Sequence, residues 1–364
     1  MKFKILPLIL SLVMIFACGC GSDGGDSTPS VPQDKILDVY FIAGQSNAAG
    51  CSDFYRKDCV TLNLSPEYAA KADLYKAGFD NVFYYGNAYD TYEGNAYIVD
   101  QMIPVKACMG VNNEYEIGAE LGMAEYLNDL YSEPDQKALI IKYAVCAAGL
   151  IVDGVSFGEW SAPSFKNPNI RNQPDLFVRM IGTEENGYKD GIVYSALTKA
   201  VDEGFNIINF KGFYWSQGCA ETGAATNLYD DALIALIKDF RAEINNLSIH
   251  ISWEREAYFD GAEDMPFVIS EIAPTQDGAT KRADGTSSNP LVNSIIEQQR
   301  SAASRVKRAK TLNTADYDIV NQVEKWSTST NDGVSYCGDQ WHYNADDMLE
   351  IGNKVAKMFT EDFE

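Results

Sequence analysis

Val39-Tyr40-Phe41-Ile42-Ala43-Gly44-Gln45-Ser46-Asn47-Ala48-Ala49-Gly50 is the stretch that decides how this chain folds. Its first half is rich in β-branched and aromatic residues, as expected of a strand, and Leu139-Ile140-Ile141 and Phe267-Val268-Ile269 are continuous apolar runs, as expected of strands covered on both faces. After Ala43 a glycine-flanked turn follows, then small residues suited to a short helix. A serine on such a strand-to-helix turn stands at the top of a sheet, where backbone amides can steady an oxyanion. The same residues would also serve a plain helix cap, so the turn alone leaves Ser46 evenly placed between nucleophile and cap.

Outward from this turn, strand candidates at 37–43, 138–145, 207–215, 266–272 and 317–323 alternate with amphipathic stretches. The latter cover 117–130, 193–203, 228–244, 292–309 and 345–359. Alternation of this kind predicts an α/β fold, a mostly parallel sheet with helices on both faces. Ligands in such folds lie beyond the carboxyl ends of the strands. The loops that matter therefore begin at Gly44, Cys146, Ser216 and Ala273, together with the segment before His342. They hold nearly every chemically suggestive residue of the chain.

The 364 residues, 46% hydrophobic and 12% aromatic, suit a folded domain rather than a disordered polymer. The body from 35 to 364 has no Pro/Gly/Ser-rich linker and no internal repeat, and reads as one domain. A net charge of -23 argues against a nucleic-acid partner, because phosphate recognition needs clustered Lys and Arg.

The amino terminus reads separately. Lys2 and Lys4 precede an apolar run from Ile5 to Ala17, too short to cross a bilayer as a helix. The sequence Ala17-Cys18-Gly19-Cys20-Gly21-Ser22 then resembles the lipobox of bacterial lipoproteins, in which a cysteine becomes the lipidated first residue. Either Cys18 or Cys20 could serve, with Cys20 preferred. The expectation is a signal peptide over 1–20, a flexible tether over 21–34, and an exported lipoprotein in the periplasm, outer membrane or cell surface, held to a membrane by its lipid. Of the eight cysteines, six remain for the body (Cys51, Cys59, Cys108, Cys146, Cys219, Cys337), and export places them where disulfides persist. Six cysteines allow fifteen complete pairings, so sequence does not assign them. No CxxC spacing occurs and the chain has two histidines, so neither a metal nor another cofactor is expected.

Histidine is the base a serine nucleophile needs near neutral pH. His250 lies in Leu247-Ser248-Ile249-His250-Ile251-Ser252-Trp253, whose alternation suggests an extended segment and a structural role. His342 follows Asp339 by three residues in Cys337-Gly338-Asp339-Gln340-Trp341-His342-Tyr343-Asn344. An aspartate so placed can fold back to accept from Nδ1–H, fix the tautomer and leave Nε2 facing a nucleophile. By itself this spacing is a weak signal.

Four blocks in order are more specific. Gly44-Gln45-Ser46-Asn47 resembles the first block of the SGNH hydrolases, in the form found in sialate O-acetylesterases and carbohydrate esterase family 6 acetylxylan esterases. Cys146-Ala147-Ala148-Gly149 followed by Trp160 is similar to the second block, Lys211 to Gly218 to the Trp-x-Gln-Gly-Glu block, and Asp339 to His342 to the terminal Asp-x-x-His block. The resemblance runs from about Leu37 to Phe359. It implies a flavodoxin-like three-layer α/β/α sandwich with a mostly parallel five-stranded sheet, and a Ser46–His342–Asp339 triad. It further implies an oxyanion hole from the Ser46 and Gly149 amides and the Gln217 carboxamide, a donor type that can contribute a few kcal/mol. Gln45, Asn47, Trp160, Trp215 and Trp341 become candidates to line a substrate site, although packing is the commoner fate of such aromatics. For Gln217 the structural alternative is a tie between loops, and for Gly149 a turn needing positive φ.

Two departures stand out. Cys219 occupies the place of the glutamate after Gln-Gly, with Glu221 two residues later. Leu150 replaces the usual second glycine. By this resemblance the chain is a carbohydrate O-acetylesterase that needs no cofactor and acts on an acetylated poly- or oligosaccharide. A lipase-like or thioester-cleaving hydrolase, or a non-catalytic glycan-binding lipoprotein on the same scaffold, stand as alternatives. If the loops of Gln217 and His342 converge, Cys219 and Cys337 become possible disulfide partners, evenly weighed against two separate thiols.

Overall fold

The computed structural model describes residues 34–56, 59–90, 95–151, 158–167, 174–223, 227–317 and 341–363. β1 (Ile36–Gly44) turns at once into the short helix α1 (Ser46–Ala49). Then come β2 (Ser52–Asp53), α2 (Pro66–Ala69), α3 (Ala72–Ala77), β3 (Phe79–Asp90), β4 (Asn95–Val105) and β5 (Glu116–Ile117). α4 (Ala119–Leu130), β6 (Gln136–Val145), α5 (Asp175–Ile181), α6 (Ile192–Asp202) and β7 (Ile207–Ser216) continue the chain. It ends through α7 (Tyr229–Glu254), β8 (Tyr258–Asp260), β9 (Phe267–Ser270), α8 (Pro290–Arg305), β10 (Ala309–Leu312) and α9 (Ala345–Lys357).

Among the described residues the main sheet has eight strands, in the order β10-β9-β7-β1-β6-β3-β4 with β8 also paired to β7. Every pairing in it is parallel except β3 with β4. The α/β class and the mostly parallel sheet agree with the sequence reading; the count of five strands does not. The additions are the antiparallel pair β3–β4, the three-residue β8, and β10. The strand expected at 317–323 falls outside the described residues apart from Tyr317, and the parallel neighbour of β9 is instead 309–312.

β1 is central because its side chains alternate into two different cores. Leu37, Val39, Phe41 and Ala43 join helices α5 to α8 in one cluster, whereas Tyr40 and Ile42 join α1, α3, α4 and α9 in the other. β6 divides in the same way, Leu139, Ile141, Tyr143 and Val145 against Ala138, Ile140 and Ala144. From Leu37 to Ala43 in β1 and from Ala138 to Val145 in β6 every residue is apolar except the buried Asp38 and Lys142, as a strand covered on both faces requires.

α7 corrects the reading of His250. The helix continues ten residues beyond the expected end, and His250 lies within it, its Nε2 3.4 Å from Glu254 Oε1 one turn on. Ile244, Leu247, Ser248 and Ile251 are the buried positions, a spacing of three and four that the local alternation of isoleucines had masked.

α4 and α9 approach backbone to backbone. A Cβ on Gly122 would stand 2.0 Å from the Leu349 carbonyl oxygen, and one on Gly352 would stand 2.1 Å from that of Ala119. Only glycine permits this contact at either position. α9 itself starts at Asn344, whose side chain caps it by accepting from the Asp347 amide at 2.8 Å.

Candidate active site

β1 pairs with β6 on one side and β7 on the other, so the connection reverses direction across it. The crevice at such a switch point lies at the carboxyl ends of these strands. Three loops meet there: 44–50 after β1, 146–151 after β6, and 216–223 after β7.

The first loop is a fixed turn. Gly44 has φ 139, and a Cβ there would fall 2.1 Å from the Ser216 carbonyl oxygen. The Gln45 amide donates to that carbonyl at 3.0 Å. Ser46 opens α1, and Gly50, with φ 96, closes it by donating to the Ser46 carbonyl at 2.9 Å. Beneath α1 the Lys142 ammonium, wholly buried, donates to the Ala49 carbonyl (3.0 Å) and the Met109 carbonyl (2.9 Å) and pairs with Glu120 at 3.0 Å. Burial pushes the Lys142 pKa down, and Glu120 works against that shift.

Asn47 brings the terminal segment to this turn. Its Nδ2 donates to the Trp341 carbonyl at 3.1 Å, and its Oδ1 accepts from the Tyr343 amide at 3.4 Å. One carboxamide thus grips the backbone on either side of His342. Ser52 Oγ adds a donation to the Tyr343 carbonyl at 2.8 Å. Asn47 is therefore a brace for the histidine segment rather than a substrate-lining group. Asp339 and Cys337 lie outside the described residues, and so do Cys18 and Cys20.

Gln45 has a similar bracing role. Its Oε1 accepts from the Gly218 and Ala220 amides, both at 3.2 Å, tying the Ser46 turn to the loop after β7. Gln217 is 1% exposed and fully engaged. Its Nε2 donates to the Ala148 carbonyl (3.3 Å) and to Glu221 Oε1 (3.2 Å), while its Oε1 accepts from Tyr229 at 3.0 Å. An amide nitrogen has two hydrogens, and both are committed. Gln217 thus ties loops together in this structure, and donation to an oxyanion would require it to release one of these partners. Gln299, missed in the sequence, supports the same loop from α8 by donating to the carbonyls of Gln217 (2.9 Å) and Ser270 (3.0 Å).

Glu221 takes the central place between the second and third loops. Its Oε1 accepts from the Leu150 amide (2.6 Å), the Ile151 amide (3.3 Å) and Gln217. Burial raises its pKa, and these donors oppose the rise. The Leu150 amide is therefore already occupied. Gly149 forms a parallel bridge with Glu159 and accepts from the Trp160 amide at 2.9 Å. The residue of this loop with positive φ is Ala147 (φ 57), not Gly149.

Two of the three candidate tryptophans are packing residues. Trp160 (1% exposed) donates from Nε1 to the Gly44 carbonyl at 2.9 Å and meets Trp215 edge-on at 5.5 Å. Trp215 is wholly buried. Neither can line an open site. Trp341 is 43% exposed, with its Nε1 donating to Asp277 Oδ1 at 2.9 Å, and Asp277 also accepts from Thr222. Among the described residues no cluster of His, Cys, Asp or Glu could hold a metal ion, and no helix is long and apolar enough to cross a membrane.

No known family and no curated protein matches the sequence. Among solved structures, the chain is similar to a protein from Arabidopsis thaliana at 11% identity and a TM-score of 0.49, covering 91% of this chain and 100% of that one. It is also similar to NanS at 11% identity and a TM-score of 0.47, covering 92% and 99%. A carbohydrate acetylesterase from Xanthomonas citri aligns at 13% identity and a TM-score of 0.45, covering 88% of this chain and 55% of that chain.

Proposed function

We propose that this chain is a serine esterase that removes acetyl groups from a carbohydrate, with Ser46 as nucleophile and His342 as its base. The supporting observation is the grip of Asn47 on the Trp341 carbonyl and the Tyr343 amide, which holds the residues flanking His342 against the turn that presents Ser46. In the proposed cycle Ser46 Oγ attacks the acetyl carbonyl and His342 accepts its proton. The histidine then returns the proton to the departing sugar hydroxyl. Water, deprotonated by the same histidine, attacks the acetyl-serine, and the histidine passes that proton to Ser46 Oγ as acetate leaves. Asp339 is assigned to orient His342, and the amides of Ser46 and Gly149 to face the oxyanion. As part of the same proposal, the chain is an exported lipoprotein anchored through Cys20 or Cys18.

Hydrolysis of 4-nitrophenyl acetate by the purified protein tests the chemistry. The expected result is turnover that falls at least about a thousandfold in Ser46→Ala and in His342→Ala, with folding retained. Near-wild-type rates in Ser46→Ala would overturn the assignment. Acetate release from acetylated xylan and O-acetylated sialic acid would then identify the glycan.

The saturation of Gln217 favours a second reading, a glycan-binding protein without catalysis. It predicts no turnover by the wild-type protein and unaltered glycan binding in Ser46→Ala.

A further inference from the structure

Two thiols that the proposed chemistry does not use meet beneath the site. Cys51 directly follows Gly50, the residue that closes α1, and Cys146 directly follows Val145, the last residue of β6. They are 95 positions apart in sequence, yet their sulfurs are 3.7 Å apart. Each lies where the chain turns through a left-handed residue, Gly50 at φ 96 and Ala147 at φ 57, so both segments are held in one conformation. A disulfide needs its sulfurs at about 2.05 Å, an approach of roughly 1.7 Å from this separation.

Lys142 donates to the carbonyl of Ala49, two residues before Cys51, and so holds the backbone that leads into the pair. The two thiols differ in access: Cys146 is buried, whereas Cys51 is half-buried.

We propose that Cys51 and Cys146 are an oxidisable pair that closes to a disulfide, fastening the segment after the Ser46 turn to the segment that carries Gly149. The oxidant is a disulfide, small-molecule or protein. The more accessible Cys51 thiolate attacks it, forming a mixed disulfide and releasing one thiol. Cys146, as thiolate, then attacks the Cys51 sulfur and expels the second thiol. Two electrons and two protons pass to the oxidant, and the protein becomes lighter by two hydrogen masses.

The full chain, reduced and folded, is incubated with oxidised glutathione, quenched with an alkylating reagent under denaturing conditions and mapped by peptide mass. The expected product is a Cys51–Cys146 linked peptide. Cys146→Ser should stop at a stable glutathione adduct on Cys51, and Cys51→Ser should yield neither product, with both variants folded by circular dichroism. Both cysteines still alkylated in the oxidised protein would overturn the proposal, as would a Cys59–Cys108 bridge formed in its place. The readout is mass, so the result stands whether or not the chain hydrolyses esters.

Discussion

Asn47 and Trp341 are joined across 294 positions of sequence by a hydrogen bond from the asparagine Nδ2 to the tryptophan carbonyl. With the partner bond from the Tyr343 amide, it makes the second residue of α1 responsible for where His342 stands. On the proposed function, the separation of a serine and a histidine distant in sequence has to be fixed by other groups, and Asn47, adjacent to the serine, is one of them.

Asn47→Ala should therefore lower kcat on a small ester by about ten- to a hundredfold with little change in KM, because positioning rather than contact with the substrate is lost. It leaves a buried Tyr343 amide unpaired, a cost of about 1–3 kcal/mol that urea unfolding would register. An unchanged kcat alongside that stability loss would mean that the brace is structural alone.

Glu221 yields a pH prediction. Its folded-state pKa is raised above 4.5, chiefly by burial, so the folded protein holds this proton more tightly than the unfolded chain. The associated stability is fully present below pH 4.5 and is lost as pH rises through the folded value. Glu221→Gln can keep an oxygen facing the Leu150 and Ile151 amides, because the other carboxylate oxygen has no hydrogen-bond partner. Urea midpoints of variant and wild type should diverge in the variant's favour as pH rises from 4.5. A gap that narrows over that interval would refute the sign.

The buried pair Lys142–Glu120 should show strong coupling. Lys142→Met alone leaves a buried carboxylate without its cation, an expected loss of about 3–5 kcal/mol, while Lys142→Met with Glu120→Gln should lose much less than the sum of the single changes. Additive losses in a double-mutant cycle would show that the two residues act separately.

Trp341 is the one tryptophan of the candidate set with an exposed ring. If it stacks on sugar, Trp341→Phe should raise KM for an acetylated oligosaccharide by about three- to thirtyfold and leave 4-nitrophenyl acetate kinetics within twofold. Equal effects on both substrates would assign the ring to holding the His342 segment.

The strands legible in the sequence were those buried on both faces. The readings 138–145 and 207–215 fall within one or two residues of β6 and β7, because a strand covered on both faces is mostly apolar, here despite Lys142 in the first and Asn209 and Lys211 in the second. β10 gave no such run: Ala309-Lys310-Thr311-Leu312 is mostly half-buried or exposed, with only Leu312 buried. β3 and β4 were hidden by Asp, Asn and Gly among their aromatics, a composition that reads as turn. At the candidate site, Ser46 and His342 were named from residue chemistry and Gln45 and Asn47 as possible substrate-lining residues, but the bracing contacts were not legible. Asn47, Gln45, Gln299 and Glu221 act through carboxamide or carboxylate contacts to backbone groups far along the chain, and no local pattern encodes such a partner. Cys219 stands where the resemblance has a glutamate, and Glu221 two residues on supplies a buried carboxylate to this loop.

Gly122 and Gly352 give the fold a ruler. α9 begins three residues after His342, and its height along α4 is set by the two places where backbone touches backbone. Slippage by one helical turn would displace α9 by about 5.4 Å, and the histidine just ahead of it would be drawn the same way. That is well beyond the roughly 3 Å reach over which a base can take a proton from a serine. On the proposed function, a methyl group added to either glycine would thus act as a change in the distance between the serine and its base.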